Sequence, residues 1–163
     1  MPESWKQALL RMLGNVADPA LLPGERTKAL KGVRSLFVIC SVVCDSDDPE
    51  VLRVESACRR VLIKRLLEAG FDLAVDESSF VLWTVIEVVR DPRRDVCVVG
   101  LRGRLTRTVQ FTSPDQTSRF QLVWRAMPLF GATRKSRLAK DVERLLRAHV
   151  EDFITDCAAD VHR

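Results

Sequence analysis

The chain has 163 residues, of which 47% are hydrophobic and 29% are charged, and this balance is typical of one soluble globular domain. Its net charge of +4 comes from 26 basic and 22 acidic residues, an excess too small to indicate a nucleic-acid-binding protein by itself. No apolar run approaches the ~20 residues of a membrane-spanning helix. No secretory leader is visible at the start, so we expect a cytoplasmic protein, or an envelope or periplasmic one if a leader was removed.

Residues 1–32 are predicted to form a helical arm and a connector that precede the folded domain. The segment PESWKQALLRMLG has a loose apolar side and ends at Gly14, which is typical of a short helix. Prolines and a glycine follow in NVADPALLPGE, and these residue types mark a connector. We expect a single folded domain over residues 33–161.

The clearest local pattern is a strand, a helix and a second strand in succession. The segment LFVICSVVC (36–44) is apolar on both faces and rich in β-branched residues, which favours a central strand. The next helix is predicted to begin at Pro49, capped by an aspartate of the preceding DSDD segment, and to end at Gly70. Short connections to the strand at 71–76 make this a βαβ unit, so its two strands are expected to be parallel.

Three further strands and a helix complete the pattern. The apolar segments 80–90, 98–111 and 119–127 are joined by polar loops, which predicts an antiparallel meander. The last segment, SRLAKDVERLLRAHVEDFITDCAADV, carries the apolar stripe of a long helix. The order β-α-β-β-β-β-α predicts an α+β fold, a two-layer sandwich in which two helices cover one face of a mixed five-stranded sheet.

An arginine-bearing surface is predicted on the uncovered face of that sheet. Arg102 and Arg104 alternate with apolar residues in the strand 98–111, and Arg125 has the same setting in the next strand. Trp83 lies beside these arginines or on the covered face, depending on whether the DPRRD hairpin shifts by one residue. The surface is interpreted as a partner site, a nucleic-acid site or only a solvated face.

One arginine of this strand, Arg107, departs from the alternation because it falls on the apolar side. If Phe111 pairs with Phe120, Arg107 lies opposite Trp124, and we expect its guanidinium to stack on the indole ring. The same alternation predicts that Leu122 points to the covered face together with Trp124.

Motifs for catalysis or metal binding are not found in the sequence. No nucleophile elbow, P-loop or dinucleotide-binding fingerprint occurs. The five cysteines lack C-x-x-C spacing, and only His149 and His162 could assist them, so we expect free thiols. His149 lies along the stripe of the last helix, where a lone histidine is usually a boundary residue. We therefore expect no enzyme, no cofactor and no metal.

The segments VESACRRVLIKRLLEAGFDLAVD and FVLWTVIEVV carry a family resemblance. Their strand–helix–strand arrangement resembles small bacterial envelope accessory proteins, such as the lipopolysaccharide-assembly lipoprotein and the TolB amino-terminal domain. The resemblance covers roughly residues 33–157 and implies binding and assembly without catalysis. The chain departs from that group because it shows no leader and no lipid-attachment cysteine near its start.

These observations favour a non-catalytic interaction or assembly module of bacterial origin, as a homo-oligomer or with a protein partner. An uncovered sheet face and edge strands are surfaces that such a module uses. The first alternative is a nucleic-acid-binding domain that uses Arg102, Arg104 and Arg125. The second is a small-ligand carrier with a pocket between the helices and the sheet.

Overall fold

The structure, a computed structural model, describes residue 30 and residues 32–44, 49–75, 80–91, 93–109 and 119–159. Nearly all of the predicted N-terminal arm and connector lies outside these residues. The elements are β1 Ser35–Cys44, α1 Pro49–Glu68, β2 Asp72–Leu73, β3 Phe80–Asp91, β4 Val96–Val109, β5 Arg119–Arg125, β6 Leu129–Thr133 and α2 Leu138–Ala159. A short 3-10 turn, Lys135–Arg137, leads into α2.

The strands form one mixed sheet in the order β2-β1-β3-β4-β5. β1 is parallel to both of its neighbours, whereas β3, β4 and β5 are antiparallel in succession. These pairings confirm the α+β class, the parallel βαβ strands and the meander. β6 is a sixth strand that was not predicted, and it pairs with β4 from Cys97 to Leu101, on the same edge as β5.

Helix α1 begins and ends where its local signals predict. Pro49 is its first residue, a position where a missing backbone N–H costs nothing. Beyond its end, Gly70 has a φ of +87°, a left-handed conformation that glycine adopts without strain. The Phe71 amide donates to the Leu66 carbonyl at 3.1 Å, which satisfies a carbonyl of the last turn.

The two helices pack against each other and cover one face of the sheet. α1 lies against β1, while α2 lies against β4 and β6. Fully buried large side chains fill the space between the layers, and they include Leu36, Leu62, Leu66, Leu82, Ile86, Leu101, Leu105, Trp124, Leu146 and Phe153. These side chains fill the layer in which the alternative of a small-ligand carrier would place its pocket.

His149 of α2 lies inside this core, so the expected boundary position is wrong. Its ring is fully buried, with Nε2 3.4 Å from the Thr84 hydroxyl oxygen and with Nδ1 lacking a hydrogen-bond partner. The ring lies on Gly103 of β4, where an added Cβ would come within 1.9 Å of the His149 Cε1. Burial lowers the pKa of His149 to about 4, so the imidazole is neutral at pH 7.

A β-bulge in β5 changes which side chains face the helices. Trp124 pairs with Leu105, but Leu122 pairs with Thr106, so Val123 is the extra residue on the bulged strand. The bulge places Leu122 on the same face as Thr106, away from the helices. The prediction that Leu122 points to the covered face is therefore wrong, because simple alternation does not survive a bulge.

The predicted stacking of Arg107 on Trp124 is also wrong, because the register between β4 and β5 places Leu105 opposite Trp124 and Arg107 opposite Gln121. The guanidinium of Arg107 instead lies 5.9 Å from the ring centroid of Phe80, its partner in β3. The Trp124 ring is fully buried against Phe153, with the ring centroids 5.0 Å apart. Its indole N–H donates to the Asp156 carboxylate of α2 at 2.8 Å.

Candidate functional site

The register between β3 and β4 decides which side chains share the open face of the sheet, the face away from the helices. Asp91 pairs with Val96 across the hairpin, and this register places Trp83 opposite Arg104. The sequence allowed two hairpin registers, one with Trp83 beside Gly103 and one shifted by a residue. The structure has the shifted register. Trp83 therefore lies on the open face with the arginines.

The structure brings together all four residues that the sequence predicted as a surface, Trp83, Arg102, Arg104 and Arg125, which we call the open-face cluster. Arg104 pairs with Trp83 across β3–β4 and with Arg125 across β4–β5. The four side chains line a shallow cavity of about 220 Å³. Their role in binding stays a prediction.

Among the other residues that line this cavity, Val85, Leu122 and Pro128 were not predicted from the sequence. Val85 reaches the open face because of the hairpin register, and Leu122 because of the β-bulge. Pro128 lies between β5 and β6, outside any periodic pattern that the sequence shows. These residues add apolar walls to a cavity whose rim carries arginines.

Two contacts hold the Trp83 side chain in place on this half-buried surface. Its indole N–H donates to the Thr106 hydroxyl at 3.0 Å. The Arg104 guanidinium carbon lies 5.3 Å from the indole centroid, which is within the range of a cation–π interaction. Trp83 thus presents an oriented aromatic ring beside an exposed cation.

Arg102 has a different setting because it forms an ion pair with Glu87 of β3. The Glu87 side chain is 8% exposed and that of Arg102 is 30% exposed, so the pair is largely desolvated. One carboxylate oxygen of Glu87 and the Nε of Arg102 are buried without a hydrogen-bond partner. Arg102 therefore compensates a buried charge, whereas Arg104 is exposed to solvent.

Strand β1 extends the open face with apolar side chains. Ile39 pairs with Trp83, and Phe37 and Val43 lie on the same side of the strand. Phe37 and Ile39 are half-buried, and Val43 is 46% exposed. The open face thus combines aliphatic, aromatic and arginine side chains, a composition typical of protein–protein interfaces.

None of the five cysteines forms a disulfide. Burial raises the pKa of Cys40 to about 11 and that of Cys58 to about 12. A thiol with such a pKa carries almost no thiolate at neutral pH, and the thiolate is the form that attacks electrophiles and binds metals. In the described part of the chain, no three His, Cys, Asp or Glu residues are grouped to hold a metal ion.

Comparisons with known proteins give no family and only remote structural likenesses. No family model and no curated protein matches the chain. A hypothetical protein from Chlamydia trachomatis is similar at 9% identity and a TM-score of 0.49, over 78% of this chain and 99% of that one. A PelC dodecamer from Paraburkholderia phytofirmans is similar at 16% identity and a TM-score of 0.41, over 77% and 86% of the two chains.

A minor lipoprotein from Acinetobacter baumannii is also similar, at 13% identity and a TM-score of 0.30, over 77% of this chain and 87% of that one. At these values the likenesses carry no function over to this chain. The resemblance to envelope accessory proteins therefore stays a prediction. Across the described ranges, neither helix is both long and apolar enough to cross a membrane.

Proposed function

We propose that the protein is a non-catalytic interaction module that docks an acidic segment of a partner protein on the open face of its sheet. The observation that supports this most is the Trp83–Arg104 pair beside a cavity with apolar walls. Tryptophan and arginine are the residue types that most often dominate the binding energy of protein interfaces. Trp83 is already oriented by Thr106, so little side-chain entropy is lost when a partner binds.

The chemistry of the surface favours a partner that carries carboxylates next to an apolar side chain. Arg104 is exposed, and its planar guanidinium can bind a carboxylate through two parallel hydrogen bonds. The rings and methyl groups of Trp83, Val85 and Leu122 provide an apolar surface within the same cavity. An acidic segment with one apolar anchor satisfies both parts of the site.

Self-association, which the sequence also suggested, fits this face less well. A twofold contact between copies would bring Arg104 and Arg125 of one copy towards the same residues of the other. The edge made by β5 and β6 is better suited, since Met127 and Phe130 beside it are 67% and 39% exposed. We expect any oligomer to form through that edge. Light scattering measures the oligomeric state, and a monomer at high protein concentration would contradict self-association.

A nucleic-acid interface is also supported less well. Sheets that bind RNA present aromatic rings on which bases stack. In the open-face cluster the ring of Trp83 already carries Arg104, and Arg102 is neutralised by Glu87. Salt-dependent binding of single-stranded RNA that disappears in Arg104→Ala would favour this alternative and count against an acidic protein segment.

Site-specific photo-cross-linking in the native host tests the proposal. A benzophenone amino acid replaces Val43, which is exposed on the open face, and in a matched protein it replaces Leu67, which is 53% exposed on α1. We expect an adduct with one defined protein from position 43 and none from position 67. The adduct should disappear with Arg104→Glu and persist with Arg94→Glu, a charge reversal at an 80% exposed side chain in the hairpin.

The identity and position of the adduct decide the outcome. The proposal is supported if the cross-linked peptide of the partner is acidic and the purified partner binds with the same dependence on Arg104. An adduct between two copies of the chain contradicts it, as do equal adducts from both positions. An adduct that persists with Arg104→Glu also contradicts it.

A further inference from the structure

Strand β1 has one hydrogen-bonding edge that a neighbouring strand covers over only part of its length. Among the described residues, β2 pairs with β1 at Ser35 and Leu36, whereas β3 pairs with the other side of β1 over residues 37–44. The last bond on the β2 side runs from the Ala74 amide to the Leu36 carbonyl at 2.9 Å. The next residue, Val75, is 92% exposed, so its side chain is not packed against the edge.

The geometry of a strand identifies the backbone groups that lie on this edge. The N–H and C=O of one residue point to the same side of a strand, and those of the next residue point to the other side. Leu36 bonds to the β2 side, so Val38, Cys40 and Val42 point to that side as well. We call these three residues the β1 edge. In the part of the chain that the structure describes, neither Val38 nor Cys40 has a strand partner there.

A side chain of α1 takes the place of a strand at one end of the β1 edge. The Val42 amide donates to the Glu55 carboxylate at 3.2 Å. Glu55 also lies close enough to Cys40 that its charge, after burial, helps to raise the pKa of that thiol to about 11. A carboxylate satisfies one donor of the edge but none of its carbonyl acceptors, and such carbonyls are a template for another strand.

The side chains on either side of the β1 edge describe the segment that fits it. On the open face, Ile39 is half-buried and Val43 is exposed, so apolar side chains of an added strand would cover them. On the covered face, the charged group that bonds to the edge is the Glu55 carboxylate, which attracts a basic side chain. Arg59 also acts on Cys40, but it is exposed and can extend into solvent.

The position of α1 favours a single added strand over a second copy of the chain. α1 contacts β2 as well as β1, so it extends over the position beside β1 on the covered face. If two copies paired through their β1 edges, the α1 helices of both would lie over the same two strands. Neighbouring strands are about 4.8 Å apart, whereas packed helices need about 8–10 Å between their axes. An extended segment without a helix of its own avoids this clash.

We infer that the β1 edge binds an extended segment of a partner protein by strand addition, and that apolar residues alternate with basic residues in this segment. The added strand pairs with Val38 and Cys40, and one of its basic side chains takes the Glu55 carboxylate from the Val42 amide. Main-chain hydrogen bonds supply the affinity, and the side chains on the two faces supply the specificity. The open-face cluster instead favours an acidic segment, so the two proposals concern partners of opposite charge.

Amide hydrogen exchange followed by NMR tests this inference, with the peptide acetyl-KVKVTVK-amide as the probe. In the free protein, we expect fast exchange at the amides of Val38 and Cys40, and slow exchange at those of Ile39 and Ser41, which point towards β3. A saturating concentration of the probe should slow the exchange at Val38 and Cys40 by at least about tenfold. The peptide acetyl-EVEVTVE-amide has the same strand pattern with the opposite charge, and it should give no such protection.

Variants then place the probe on the β1 edge. Cys40→Pro removes an N–H that points away from β3, so it leaves the β1–β3 bonds in place and should abolish the protection of Val38. Glu55→Gln removes the charge that attracts the basic side chains, and it should weaken binding by about tenfold. The matched control is Glu68→Gln, the same change near the other end of α1 at a side chain that is 44% exposed, and it should leave the affinity unchanged. Slow exchange at Ile39 verifies that each variant is folded, and Glu55→Gln keeps the test decisive if Cys40→Pro is not.

Absence of protection at Val38 and Cys40 overturns the inference, and so does equal protection by the acidic peptide. Protection that survives Cys40→Pro, or equal losses of affinity in Glu55→Gln and Glu68→Gln, would also overturn it. Slow exchange of the Val38 and Cys40 amides in the free protein would show an edge that is already occupied, which contradicts a site for a partner. Arg104→Glu does not alter the β1 edge, so this inference and the docking of an acidic segment fail independently.

Discussion

Trp83 and Trp124 lie on opposite faces of the same sheet, and their environments differ in nearly every respect. Trp124 is fully buried between β5 and α2, where its ring packs on Phe153 and its N–H binds Asp156. Trp83 is half-buried on the open face, and its ring lies beside the exposed Arg104. One tryptophan stabilises the two-layer packing, whereas the other offers an aromatic surface to a partner.

The two faces of the sheet also differ in their buried polar side chains. On the covered face, His149 is buried as a neutral ring, because burial has lowered its pKa to about 4. On the open face, the carboxylate of the buried Glu87 is compensated by Arg102. The covered face thus holds His149 as a neutral ring, while the open face holds the Glu87–Arg102 ion pair, and a one-residue shift between β3 and β4 would move residues of one strand to the opposite face.

The largest expected effect separates the two tryptophans. Trp124→Ala should lower the free energy of unfolding by about 3–5 kcal/mol, because it empties a fully buried site and leaves Asp156 without its donor. Trp83→Ala should lower it by only about 1 kcal/mol, since the ring is already partly in water. Urea unfolding of both variants measures this difference, and equal losses would contradict the assignment of the two faces.

The next effect is a pH dependence of stability that comes from His149 on the covered face. The unfolded chain takes up a proton on His149 below its ordinary pKa of 6.5, whereas the folded protein resists it down to about pH 4. Stability is therefore complete above pH 6.5 and falls as the pH decreases towards 4, by about 3 kcal/mol from this residue. Urea unfolding at a series of pH values measures the slope, which should be shallower in His149→Leu.

A smaller effect tests the contact between His149 and the strand beneath it. Gly103→Ala should cost about 1–3 kcal/mol, because the new Cβ would lie 1.9 Å from the His149 ring. Gly131→Ala is the matched control, since its Cβ would meet the Leu145 side chain at an ordinary 3.6 Å. In a His149→Ala background the cost of Gly103→Ala should largely disappear, and a double-mutant cycle without coupling would contradict the contact.

The smallest effect distinguishes two arginines of the open-face cluster. Arg102→Ala should lower the free energy of unfolding by about 1–2 kcal/mol, because it leaves the buried carboxylate of Glu87 unpaired. Arg104→Ala should change it by less than about 0.5 kcal/mol, as is usual for exposed side chains. If thermal and urea unfolding show the reverse order, Arg104 is a structural residue and is unsuitable for the docking role.

The sequence alone predicts the position of an element when the residues at its ends restrict the backbone. Pro49 and Gly70 mark the limits of α1, because each residue type restricts or extends the local backbone. β6 carries no comparable signal, since five residues with a glycine in the middle are too few to show a periodicity. Its position depends on pairing with β4, which is a tertiary contact.

The sequence predicted which residues could belong to the candidate site, but it did not predict how their side chains are arranged. Alternation placed Arg102, Arg104 and Arg125 on one face, which the structure confirms. The addition of Trp83 depended on a hairpin that allows two registers, and the addition of Leu122 depended on a bulge set by packing. Neither feature follows from local residue preferences.

A cavity of about 740 Å³ between α1 and the start of α2 shows a different limit of sequence reasoning. Its first wall is visible in the sequence, because Arg53 and Arg60 flank two small residues at helical spacing. Its second wall, around Lys135, comes from a distant part of the chain that meets α1 only in the folded protein. A single helical pattern therefore indicates a basic face but not a cavity.

The division of the sheet into a covered and an open face is tested most directly by acrylamide quenching of tryptophan fluorescence. Two proteins are needed in a Trp5→Phe background, one that retains only Trp83 and one that retains only Trp124, with phenylalanine at the other position. We predict a quenching constant several-fold larger for Trp83, and a blue-shifted, protected emission for Trp124. Equal quenching of the two tryptophans, or stronger protection of Trp83, would contradict the register from which both faces of the sheet are derived.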